Sequence, residues 1–161
     1  MKRSNKFRKD ERAIELPINI VVMLVVGMVA LAALLSIIPK SKENMSVDII
    51  DVKVSDDNPY KGSSAKVVGA KDHTVTVNIK VYDKNNNPVE KASATLSGGG
   101  GFGTDQTNKS GLAKIYLGGT SGSMVTIRPN QQTVELKIVV KANGFYDYQD
   151  EQAVLLIQAR D

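Results

Sequence analysis

The spacing of apolar residues changes character near residue 39. Before it, Ile18 to Ile38 is one unbroken run of 21 residues without a charge. No polar stripe divides it, so it predicts a helix that is apolar on every face. At 1.5 Å per residue that helix is about 31 Å long, the thickness of a bilayer's hydrocarbon core. After Pro39 the apolar positions alternate instead. Val75, Val77, Ile79 and Val81 face one way and Thr76, Asn78, Lys80 and Tyr82 the other, which predicts a half-buried strand over 74–82. Weaker alternation predicts strands over 46–54, 89–96, 112–117, 124–127, 133–141 and 153–158, with a slip at Ile50-Asp51 that reads as a bulge. Asp56 to Pro59, Lys61 to Ser64 and Asp83 to Pro88 have turn and loop composition, and Gly98 to Gly103 reads as an exposed flexible loop. Strands about ten residues apart with no helical period between them predict a mainly β fold, an antiparallel β-sandwich of seven to eight strands preceded by one long transmembrane helix.

This pattern divides the chain into a basic tail over 1–16, a membrane helix over 17–39, a linker over 40–45 and a β domain over 46–161. Lys2, Arg3, Lys6, Arg8, Lys9 and Arg12 precede the apolar run, whereas Lys40 and Lys42 alone follow it closely. The positive-inside bias therefore places the N-terminus in the cytoplasm and the β domain outside the cell membrane. A cleaved signal peptide is the competing reading. Its apolar region is normally about 7 to 15 residues and ends in small residues, whereas this run is longer and ends Ser36-Ile37-Ile38-Pro39-Lys40. An uncleaved signal anchor is expected, with lipid as the partner of residues 17–39.

Charge and composition narrow the function. The net charge is +4, but residues 1–16 hold six basic and three acidic side chains, and the chain beyond residue 39 is nearly neutral. The basic balance reports topology, and no nucleic-acid partner is expected. Cysteine is absent and His73 is the single histidine. That removes most zinc, haem and iron–sulfur chemistry and any Cys–His catalytic pair. A non-enzymatic protein without a cofactor is expected.

Four segments, Asp83 to Val89, Ala92 to Leu96, Thr107 to Gly111 and Val140 to Phe145, follow a recurrent order. A D-x-x-G/N-x-P-V turn leads to an A-x-A-x-L strand, a T-N-x-x-G turn and a V-x-A-x-G-F ending. Residues 74–158 thereby resemble carboxypeptidase regulatory-like, or transthyretin-like and bacterial Ig-like, modules. The resemblance implies an Ig-like β-sandwich used as a spacer, adhesive unit or accessory domain. Asn87 stands where these modules often carry Gly, which a turn tolerates. With no peptidase domain beside it, the resemblance implies no activity. A cell-envelope protein or glycan is the partner it suggests.

The segment Arg12-Ala13-Ile14-Glu15-Leu16-Pro17 before the apolar run resembles the class III signal of type IV pilins and archaeal pilin-like proteins. Two processing positions compete. Glu15 as fifth mature residue requires cleavage after Asp10, whereas cleavage after Ala13 makes Glu15 the second. This resemblance implies self-assembly into a surface filament. The alternative is that Glu15 sits at headgroup level, where the helix dipole favours a negative charge.

The remaining candidates carry plain readings beside functional ones. Phe145, Tyr146 and Tyr148 form the densest aromatic cluster, a candidate contact patch for sugar or protein, or a corner in which Phe145 closes the sandwich. Asn44 and Asn108 begin N-x-S sequons on the expected outer side and are candidate glycosylation sites. Asp83, Asn85 and Asn87 have the spacing of a calcium loop, but Pro88 and Ala94 occupy its Gly and Glu positions, so a turn is expected. His73 beside Asp72 is expected on a surface loop.

Overall fold

In the computed structural model the described residues are 10–38, 41–55, 57–118 and 123–159, with residues 10–16 described by backbone alone. The chain divides into two compact units, Met1–Lys40 and Ser41–Asp161. In the first, helix α1 spans Asp10–Ile37, 28 residues. It begins seven residues before the membrane helix expected from residue 17 and includes Pro17, which has no N–H to donate to the preceding turn. Its Pro17–Ile37 stretch has a mean hydropathy of 3.0, and none of it is buried. An apolar surface open on every side is unstable in water and fits a lipid surrounding.

The second unit is mainly β. Eleven strands run in chain order: β1 Met45–Val54, β2 Tyr60–Lys61, β3 Ser64–Val68, β4 Asp72–His73, β5 Val75–Asp83, β6 Ser93–Gly98, β7 Gly101–Gln106, β8 Leu112–Leu117, β9 Val125–Thr126, β10 Thr133–Lys141 and β11 Tyr148–Ala159. They form a four-stranded sheet β2-β1-β5-β8, a five-stranded sheet β3-β11-β10-β6-β7 and the pair β4-β9. The count exceeds the seven to eight expected because β2 and β4 are two-residue strands, β3 runs on from Ser64 into residues given no strand, and β7 begins in the glycine-rich segment read as loop. Nor is the pairing wholly antiparallel, since β3 runs parallel to β11.

Alternation explains the core. Val75, Val77, Ile79 and Val81 of β5 are fully buried, and they join Ile115 and Leu117 of β8 and Leu136, Ile138 and Val140 of β10 in one apolar cluster. Both larger sheets contribute to it. In β1, Val47 and Ile49 point inward at odd positions but Val52 and Val54 at even ones. One extra residue is needed to change parity, and the register shift between Ile49 and Asp51 supplies it, leaving Ile50 42% exposed. A second irregularity in β11 buries Ala153 and Val154 consecutively.

The glycine-rich segment is not a flexible loop. β6 and β7 pair through Gly98 and Gly101, and Gly99-Gly100 forms a two-residue turn with φ of 57° and 82°. Positive φ at both turn residues matches the right-handed twist of a hairpin. Gly103 is buried, and a Cβ there would lie 2.4 Å from the Tyr116 carbonyl oxygen. Absence of side chains here allows β7 to lie close to β8.

Candidate functional site

Met45 pairs with Asp83 at one end of β1, and Val54 pairs with Val75 at the other. The aromatic cluster lies at the Met45 end, with Phe145 and Tyr146 on the connection from β10 to β11 and Tyr148 opening β11. There Gly144 takes φ of 84° and its carbonyl accepts the Glu43 N–H at 2.9 Å. The Tyr146 N–H donates to the Glu43 carbonyl at 2.9 Å, completing a parallel bridge that fixes the incoming chain beside Phe145.

The three aromatics therefore have different surroundings. Phe145 and Tyr148 are half-buried and pack on the core, whereas Tyr146 is 57% exposed. Tyr146 is the most exposed large apolar side chain described in the β unit. The Lys42 ammonium lies 5.9 Å from its ring centroid, within cation–π range. Around it, Lys84 approaches Glu43 at 3.8 Å and Lys141 approaches Asp147 at 3.2 Å. These pairs are exposed and contribute little to stability.

Beside this corner a groove of about 510 Å³ opens between β1 and β11, lined in part by Val47, Asp48, Ile49, Asp150 and Ala153. The Tyr82 hydroxyl donates to the Asp48 carboxylate at 3.1 Å, and that bond raises the Tyr82 pKa above its ordinary value. Burial, and then the charges of Asp150 and Asp48, push Tyr148 upward in the same way. Both phenols keep their protons at neutral pH.

The other sequence candidates lie elsewhere or have structural roles. Asp83 Oδ1 accepts the N–H groups of Asn85 and Asn87 at 2.7 and 2.9 Å, and Oδ2 accepts the Asn87 side-chain amide at 3.0 Å. The Asn87 side-chain bond is the main cause that holds the Asp83 carboxyl below its usual range. The Asp83 turn is thus closed on itself. Asn44 is exposed. Asn108 is exposed too, with its side-chain oxygen accepting the Ser110 and Leu112 N–H groups at 2.9 and 3.1 Å. Asp10, Ala13 and Glu15 fall within α1, and their side chains lie outside the described residues.

His73 corrects an expectation. It is 3% exposed, in β4, and not on a surface loop. Its Nε2 donates to the Gly69 carbonyl at 3.1 Å, and its Nδ1 shares a hydrogen bond with the Ser55 hydroxyl at 3.4 Å. A polar neighbourhood in sequence, Lys71-Asp72, concealed this burial. Thr107 was also missed. It is 3% exposed, donates to the Val89 carbonyl at 2.6 Å and accepts the Ala92 N–H at 2.8 Å. Its place in the T-N-x-x-G turn was the available signal. His73 and Thr107 are the only buried polar side chains among the described residues, and both hold backbone in place. Among the described residues no three His, Asp or Glu side chains gather closely enough to hold a metal ion. No protein-family model, curated protein or solved structure matches this chain.

Proposed function

We propose that this chain is a single-pass, non-enzymatic surface protein of a cell envelope. Its basic tail is cytoplasmic, α1 spans the membrane, and an Ig-like sandwich outside serves as a binding or structural module. The observation that carries this reading is the Pro17–Ile37 stretch, long enough to cross a bilayer and apolar on all sides. The two larger sheets sharing one core support the sandwich. Among the described residues every buried side-chain N or O atom of the β unit also has a hydrogen-bond partner, as in a well-formed core. Carbonate washing of membranes tests the span. The intact chain is expected in the pellet, and its release into the soluble fraction refutes the anchor.

One observation favours a filament subunit as second reading. α1 continues without a break from Asp10 past Glu15 to Ile37, so an acidic residue precedes the apolar segment on the same helix. Assembly would require cleavage after Asp10 or Ala13. Against it, the six basic residues of the tail suit lasting contact with an anionic inner leaflet, each worth about 1 kcal/mol near the surface. Mass spectrometry of the membrane-extracted chain is expected to find peptides spanning Arg12 to Glu15. A mature N-terminus at Glu11 or Ile14 gives the second reading the place of the first.

A further inference from the structure

We infer that the Met45 end of the β unit docks on the lipid headgroup layer, with Tyr146 as its contact and Lys42 beside it. The inference rests on the membrane span proposed above and adds which surface of the domain meets lipid.

The first argument is covalent. Four residues, Pro39 to Lys42, separate Ile38 from Glu43. Fully extended, the five steps from Ile38 to Glu43 cover at most about 18 Å. The bound holds for every attitude of the domain. Glu43 is itself tied to Gly144 and Tyr146 by two backbone hydrogen bonds, so the patch cannot separate from the tether. The headgroup layer adds about 5 to 8 Å on each side of the hydrocarbon core. Tyr146 is therefore held near lipid at a high effective concentration, and a contact too weak to bind in solution is sufficient.

Chemistry gives the second argument. A tyrosine presents an apolar ring and a polar tip, the combination enriched at membrane–water interfaces. At 57% exposure, Tyr146 leaves more of itself uncovered than any other large apolar side chain described in this unit. The Lys42 ammonium lies 5.9 Å from its ring centroid, and at this end Lys84 and Lys141 are balanced by Glu43, Asp83 and Asp147, so the ring is the main lipid contact. Lysine stems lie along apolar surface while their heads reach phosphate. The opposite end, with the Gly99-Gly100 turn and Phe102, is about 30 Å away along the ten residues of β1.

The chain contains no tryptophan, which makes the test direct. Tyr146→Trp and Phe102→Trp each place a single indole at one end. The full-length variants are reconstituted in phosphatidylcholine–phosphatidylglycerol vesicles, with and without phospholipid brominated high on the acyl chain. In the Tyr146→Trp chain, indole emission is expected to shift to the blue and lose intensity to bromine. In the Phe102→Trp chain, emission is expected to keep its intensity. Unquenched emission from a Tyr146→Trp chain that resists carbonate overturns the docking and leaves the span standing. Equal quenching in both variants also overturns it, because the contact is then not confined to one end. Release of the chain by carbonate overturns both. A second measurement needs no substitution: amine labelling of the wild-type chain with a water-soluble reagent. Relative to Lys71, an exposed lysine near the far end, labelling of Lys42 and Lys141 is expected to fall on moving from detergent to vesicles. An unchanged ratio overturns the docking.

Discussion

Replacing Thr107 by Val isolates one hydroxyl at nearly constant volume and shape. The Thr107 hydroxyl donates to the Val89 carbonyl at 2.6 Å and accepts the Ala92 N–H at 2.8 Å, at a site only 3% exposed. Its backbone is also engaged: the Thr107 N–H donates to the Ala92 carbonyl, and its carbonyl accepts the Lys91 N–H. The residue thus pins the Val89 to Ala92 segment that leads into β6. Valine fills the space but leaves one buried donor and one buried acceptor without this partner. Each such group costs about 1 to 3 kcal/mol, so the substitution should destabilise the β unit by about 2 to 6 kcal/mol. Thr107→Ser keeps both bonds and loses one methyl, which should cost about 1 kcal/mol.

The assay is thermal and urea unfolding of residues 41–161, followed by circular dichroism in the strand region. Unfolding entropy scales with length, and for a domain of this size 1 kcal/mol moves Tm by about 4 °C. Thr107→Val should therefore lower Tm by about 8 to 24 °C, with Thr107→Ser near the wild type. Water entering to satisfy the orphaned groups would place the loss at the low end. If Thr107→Val unfolds within about 0.5 kcal/mol of wild type, the range expected of an uninvolved surface change, the latch is refuted.

Three further outcomes are expected. Ile79→Ala, at a fully buried position, should cost about 2 to 5 kcal/mol in urea unfolding, whereas exposed Lys80→Ala should stay within about 0.5 kcal/mol; equal losses would refute the assigned face of β5. Gly103→Ala drives a Cβ to 2.4 Å from the Tyr116 carbonyl oxygen, so β7 and β8 must separate, and a loss of about 1 to 3 kcal/mol should appear in the same assay. Asp83, whose folded pKa is lowered, contributes stability that is present above its unfolded pKa and is lost as pH falls through the folded value; carbon-13 NMR of its carboxyl should give a midpoint below the ordinary aspartate range of about 3.9, and a midpoint at or above that range would refute the turn's hydrogen bonding.

What could be read from the sequence was what repeats locally. β8 and β10 occupy the ranges 112–117 and 133–141 that alternation predicts, because each puts every second residue into one core. The slip at Ile50 was legible for the same reason, since a parity change in a strand needs an extra residue. β3 was not legible. Its five residues, Ser64–Val68, acquire strand geometry by pairing with β11, far along the chain, and so short a segment carries little pattern of its own. The glycines of 98–103 misled for a related reason: composition suggests freedom, while their use is close approach to β8 and β9, which only the tertiary arrangement defines. The same limit governs the candidate site. Phe145, Tyr146 and Tyr148 read as one aromatic cluster, yet the turn at Gly144 and the bridge to Glu43 set two of them on the core and turn one outward. A core position constrains its residue by shape, and that constraint leaves a period in the chain. An exposed position is constrained only by what it meets, and along a single sequence that leaves no period. In the docking proposed above, that constraint would come from the covalent chain, because Glu43, which follows the short linker, is bonded to the loop that carries Tyr146. That connection, more than any motif, makes Tyr146 the exposed residue whose surroundings can be argued.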